Sequence, residues 1–193
     1  MIEIVQHTSS SYAPRTYANA KAGHCTLAIA VDFNTAGEKC TKKAAGASYV
    51  GLPYFADKEA SLVILRLVWR LLKVHKEPVL NIAGNGIYTL AKHGVNQAQA
   101  NKKLYDLLQP LVKALPTVQS GTNGVSALQV VSGGQTGIDT AGVVAGSALG
   151  LRCRVTLPHG YIQRFEDKQD VVQSLSDIEQ YLISNIKELK AYD

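Results

Sequence analysis

Leu128-Gln129-Val130-Val131-Ser132-Gly133-Gly134-Gln135-Thr136-Gly137-Ile138-Asp139 is the stretch on which the fold reading turns. Its first four residues are apolar enough for a buried strand, and three glycines within five positions then mark a tight turn. Residues 138–149 follow as a helix of small side chains that stops at Gly150. Ala141, Gly142, Ala145, Gly146 and Ala148 let such a helix lie close on a sheet. Residues 152–157 are the next strand, so the segment reads as a strand, a glycine turn, a helix and a second, parallel strand.

The same order recurs upstream. Residues 25–31 form a short continuous apolar run with Asp32 at its C-terminal end. Thr35-Ala36-Gly37-Glu38 has the spacing of a capping box, predicting a helix to about residue 45 that stops at Gly46. Residues 49–54 make another strand. A helix over 57–74 turns Leu62, Leu65, Val68, Trp69 and Leu72 inward and Arg66, Arg70, Lys73 and Lys76 outward. The strand at 78–83 ends in Gly84-Asn85-Gly86 and leads to a helix at about 97–114. Ser176-Asp177-Ile178-Glu179 opens a last amphipathic helix to about 189, and the Gly, Ser, Thr and Asn of 116–126 mark a surface loop. Strands alternating with helices predict one α/β domain over 1–193, three-layered and Rossmann-like, its mostly parallel sheet covered by helices on both faces.

Composition narrows the function. A hydrophobic fraction of 46% with 18% charged residues is that of a folded globular chain. Lys and Arg number 20 against 15 Asp and Glu, a net charge of +5 that favours a small anionic ligand. The basic cluster Lys39, Lys42 and Lys43 has no interleaved aromatics, so a nucleic-acid tail is not indicated. Cys25, Cys40 and Cys153 form no Cys-x-x-Cys pair, which argues against a disulfide framework or a zinc site and for a reducing, cytoplasmic setting. The longest apolar stretch, 62–72, is broken by Arg66 and Arg70, and no membrane span or export signal is read.

In parallel sheets ligands gather outside the carboxyl ends of the strands, where loops into helices expose backbone N–H groups. Three such loops, at 32–39, 84–88 and 132–139, supply the candidates. Ser132, Gly133, Gly134, Gln135, Thr136 and Gly137 open a helix whose N-terminus suits a phosphate. The motif lacks the Gly-Lys-Ser/Thr of an ATPase loop and the Gly-x-Gly-x-x-Gly of a dinucleotide fold. Asp139 either caps that helix or meets a ribose hydroxyl. Thr35, Ala36 and Gly37, with Gly84, Asn85 and Gly86, complete the cleft. Glu38 is explained by its capping role, with a catalytic carboxylate as the other reading. None of the five histidines has metal-ligand spacing, and no metal site is expected. His159, in Pro158-His159-Gly160 near Arg164, is placed where an imidazole and a guanidinium meet an anion.

The run from Val131 to Asp139, followed by Pro158-His159-Gly160 and Arg164, resembles the molybdenum cofactor carrier family. That family belongs to the SLOG group of Rossmann-like nucleotide-binding domains, with cytokinin-activating phosphoribohydrolases and a DNA-processing protein. His159 stands where those proteins usually carry lysine, and Thr140 where they carry a charged residue. Arg15-Thr16, Asn19-Ala20, residues 26–31, Thr35-Ala36-Gly37 and Asn81-Ile82-Ala83-Gly84 also resemble carrier segments. Here they precede the glycine motif instead of following it, which implies a circular permutation with 116–126 spanning the original ends.

The resemblance implies ligand binding, with a nucleotide, an ADP-ribose-like signal or a molybdopterin cofactor as candidates, and Arg15 or Arg164 neutralising charge. The enzyme alternative is a nucleotide N-glycosidase that uses Glu38. Single-stranded DNA binding would need stacking aromatics and a basic groove that the sequence does not present. A homo-oligomer is left open.

Overall fold

The computed structural model describes residues 1–115, 117–118, 125–126 and 128–191. In chain order the elements are β1 (Ile2–Gln6), α1 (Tyr12–Ala22), β2 (Cys25–Ala30), α2 (Ala36–Ala45), β3 (Tyr49–Pro53), α3 (Lys58–Leu72), β4 (Val79–Gly84), α4 (Ile87–Ala91) and α5 (Gln97–Ala114). They continue with β5 (Thr117–Val118), β6 (Val125–Ser126), β7 (Gln129–Ser132), α6 (Ile138–Ala148), β8 (Arg152–Leu157), β9 (Gln163–Arg164), β10 (Asp170–Val171) and α7 (Leu175–Lys190). Six strands make one sheet in the order β1-β8-β7-β4-β2-β3, and every pairing in it is parallel.

Strand alternation decides which helix covers which face. On β4, Asn81 points to the α1 side: a side chain at Gly23, just after α1, would come within 2.8 Å of its Cβ. The next residue, Ile82, points the other way, and a Cβ at Gly142 of α6 would lie 2.6 Å from its Cγ2. Helices α1 and α2 therefore lie on one face, and α3, α5, α6 and α7 on the other. Residues 138–146 of α6 are all buried because the helix is wedged between the sheet and both α5 and α7. Burial on both faces also explains why β2 is wholly buried and, Thr26 apart, apolar.

This wiring creates a crevice. From β2 the chain goes through α2 on one face to β3 at the sheet edge; from β4 it goes through α5 on the other face to β7. The loops leaving these neighbouring strands therefore diverge, which is where open α/β sheets collect ligands. Asn85 spans the divergence. Its carbonyl accepts from the Val31 and Asp32 N–H groups at 2.8 and 2.9 Å, and its amide donates to the Asp32 carbonyl at 3.0 Å.

Several expectations need correction. The N-terminal segment carries an edge strand and a helix, neither of which the sequence reading foresaw. Leu62 is 37% exposed and Ser61 takes the buried position, because the inward stripe of α3 runs through 61, 65, 68 and 72. The final helix starts two residues early, on a Ser174–Asp177 capping box. Of the loop expected at 116–126, the described parts form the small hairpin of β5 and β6, and the rest lies outside the described residues. Among the described residues no helix is long and apolar enough to cross a membrane.

Candidate functional site

A cavity of about 370 Å³ opens at the crevice and runs down between α1 and α2 over β4. Its rim is built from three loops, with Ala36 and Gly37 after β2, Gly84 and Gly86 after β4, and Gly133, Gln135 and Thr136 after β7. Helix α1 adds Tyr12 and Arg15, and Arg164 of β9 closes one side. The three loops singled out in the sequence thus meet in one place.

The loop after β7 is mostly committed to the protein itself. The Ser132 hydroxyl lies 2.9 Å from the carbonyls of both Ile82 and Asp139. The Gln135 side chain donates to the Ile162 carbonyl at 2.7 Å and accepts from the Arg164 N–H at 3.0 Å, holding β9 over the rim. The Thr136 hydroxyl donates to the Arg164 carbonyl. The Gly137 N–H, which could have served a phosphate, donates to the Gln97 side chain at 2.7 Å.

The glycines of this loop serve packing rather than ligand approach. Gly134, at φ +68, faces Val155 and Leu157 of β8, so a side chain there would strike the core 2.9 Å from a Leu157 methyl group. Gly137, at φ +99, lies where a Cβ would meet the Asn85 carbonyl at 2.5 Å, and it pairs with Gly86. A Cβ on Gly133 would collide with the Arg15 guanidinium and the Asp139 carboxylate. His159, expected in the site, is exposed on the loop after β8, where its N–H donates to the Ser9 carbonyl at 3.0 Å, and it does not line the cavity.

Asp139 does not cap α6. Its carboxylate accepts from Arg15 Nη1 at 3.1 Å, with the two side chains 10% and 7% exposed. Burial holds the carboxyl of Asp139 above its ordinary value, although Arg15 and hydrogen bonds from the Gln135 and Gly84 backbone act to lower it. The pair occupies the positive end of α6, so the strand-to-helix motif carries its own anion there.

The loop after β2 differs. The Thr35 hydroxyl accepts from the Glu38 N–H at 3.2 Å, while the Ala36 and Gly37 N–H groups of the first turn have no intrahelical partner, and both residues line the cavity. Only half of the expected capping box forms. The Glu38 carboxylate does not reach back to Thr35: it is 2% exposed, and its Oε2 has no hydrogen-bond partner. Burial, then the charges of Asp139 and Asp32, push its pKa up to about 8. Glu38 lies outside the residues that line the cavity.

Three cavity-lining side chains carry a buried polar atom without a partner: Arg15 Nε, Asn19 Nδ2 and Asn81 Oδ1. Buried polar groups are nearly always satisfied, and three of the five buried side-chain atoms without a partner among the described residues belong to residues that line this cavity. The sequence reading named Arg15 as a site residue but assigned no site role to Tyr12, Thr16, Asn19, Cys40, Thr41, Asn81, Ala83 and Tyr88, which line the same cavity. Pro14 in the first turn of α1, and Arg15 and Asn19 one turn apart, were the signals for the α1 contribution. Among the described residues no cluster of three or more His, Cys, Asp or Glu is arranged for a metal ion.

Arg164 is held from outside by Asp170, at 2.7 and 2.8 Å, while Asp170 also accepts from the Tyr12 hydroxyl at 2.6 Å. Its guanidinium sits 5.0 Å from the Tyr12 ring centre. Comparison with models of protein families, with curated proteins and with solved structures finds no match to this chain.

Proposed function

We propose that the cavity binds a small phosphorylated ligand, with a nucleotide or an ADP-ribose-like molecule as the leading class and molybdopterin behind them. One observation carries the reading. Arg15 lines the cavity, is only 6% exposed and gives one nitrogen to Asp139, yet its Nε is buried without a partner. A buried guanidinium with a spare donor calls for an acceptor oxygen, and phosphate supplies one in good geometry. The unpaired first-turn amides of α2, at Ala36 and Gly37, favour negative charge at the same rim. Arg164 and the net charge of +5 act in the same direction.

The seat therefore differs from the one expected at Ser132 to Gly137. The positive end of α6 already holds Asp139, so the anion is assigned to the space between Arg15 and the start of α2. Titration calorimetry against AMP, GMP, ADP-ribose, a pterin phosphate and inorganic phosphate tests this. Binding of a phosphorylated probe by the wild type, lost in an Arg15→Met, Asp139→Asn protein that still folds, is the expected result. Equal binding by both proteins would remove Arg15 from the site.

A nucleotide N-glycosidase is the second reading, favoured by Glu38. A carboxyl raised to about 8 holds its proton at neutral pH, as a general acid toward a departing base must. Its place behind the cavity wall ranks this reading below simple binding. Release of free base from a nucleoside monophosphate, seen by chromatography and absent in Glu38→Gln, would reverse that order.

A further inference from the structure

The cavity has two ends of different chemistry. Helices α1 and α2 both start at the rim and run down the sheet face, so residues later in each helix lie deeper. Arg15, Asp139 and Arg164 are at the rim. Below them the lining is Thr16, Asn19, Cys40, Thr41, Asn81 and Ala83, with no carboxylate and no cation. Asn81 lies three residues before Gly84 on β4, about 10 Å below the rim at roughly 3.3 Å per residue.

This floor is polar and unsatisfied. Asn19 is 4% exposed and its Nδ2 has no acceptor. Asn81 is 2% exposed; its Nδ2 donates to the Thr26 hydroxyl at 3.1 Å, while its Oδ1 has no donor. Leaving such groups buried and unpaired is costly, and an apolar pair would have filled the space without that cost. The rim charges do not explain these atoms, since a phosphate at Arg15 lies a helical turn above them.

We propose that the floor is a separate subsite for a flat, uncharged ring edge that carries a hydrogen-bond acceptor beside a donor, as a nucleobase does. The acceptor takes the Asn19 amide hydrogen and the donor gives its hydrogen to the Asn81 carbonyl. The ligand then stands base-down between α1 and α2 with its phosphate at the rim, buried along the sheet face instead of lying across the sheet edge. This inference rests on the anion reading above and adds what the other end of the ligand must be.

The test is titration calorimetry of the full chain with AMP, GMP, CMP, UMP, ribose 5-phosphate and inorganic phosphate. At least one nucleoside monophosphate is expected to bind tenfold or more tighter than ribose 5-phosphate. Asn19→Leu, which removes the orphan donor while keeping the branched shape of the side chain, should erase that margin and leave ribose 5-phosphate affinity within twofold. Should Asn19→Leu not fold, Asn81→Ser withdraws the free acceptor and should narrow the margin too. Ribose 5-phosphate binding as tightly as every nucleotide, or a margin that survives in the folded variant, would overturn the base subsite while the anion seat stands. Failure of every probe, phosphate included, would overturn both.

Discussion

The loops leaving β2 and β7 occupy equivalent places, each joining a buried parallel strand to a helix at the same edge of the sheet. Their uses of that place are opposite. After β7, the side chains of Ser132, Gln135 and Thr136 and the Gly137 amide are bound within the protein, and Asp139 takes the helix end. After β2, two small residues of the first helical turn, Ala36 and Gly37, line the cavity, and the Glu38 carboxyl is buried with an unpaired oxygen. The denser glycine motif is the structural joint, and the sparser one is the open wall. Close packing makes the difference: where loop backbones touch core strands and each other, glycine serves to fit rather than to bind.

The largest effect that sharpens this contrast is expected from Gly134→Asp. It puts a side chain at φ +68 against Val155 and Leu157 and buries a charge there, so a loss of more than about 4 kcal/mol is expected in urea unfolding. A variant as stable as wild type would show that the loop after β7 has room for a ligand after all.

Arg15→Met comes next. It leaves Asp139 buried without its cation, which should cost about 3–5 kcal/mol, and a second substitution, Asp139→Asn, should recover most of that. Equal stability of single and double variants by thermal melting would contradict a closed charge pair at the start of α6.

A smaller effect concerns Glu38 and pH. Below its ordinary value of 4.5 the carboxyl is protonated folded or unfolded; between 4.5 and about 8 only the folded chain keeps the proton. Stability should therefore fall as pH rises through that window, by a few kcal/mol at about 1.4 kcal/mol per unit, and level off above it. Glu38→Gln should flatten that part of the slope and be the more stable protein above pH 8. Identical pH profiles would mean that Glu38 is not held buried and protonated.

The sequence made some parts of this legible and hid others for physical reasons. The strand at 152–157 and the helix at 97–114 were bounded correctly because local signals, Gly150 before one and Asn96 capping the other, agree with the packing. The edge strand β1 was missed since Ile2 and Ile4 alternate with only one neighbouring strand to cover them. Glu38 was read as a cap because spacing cannot reveal which way a carboxylate turns once its helix packs. The three loops were found, but the cavity floor was not. Asn19 and Asn81, 62 positions apart in the chain, come to line one cavity only when α1 lies down on β4.

The most direct test of the central claim is the same substitution in the open loop, Gly37→Asp. Gly37 has open space around it and sits in the first turn of α2, where a carboxylate suits the helix end, so stability should stay within about 1 kcal/mol of wild type. The new charge faces the cavity, and calorimetric affinity for the best phosphorylated probe is expected to fall at least tenfold. Undiminished binding by folded Gly37→Asp would contradict the assignment of the anion to this wall.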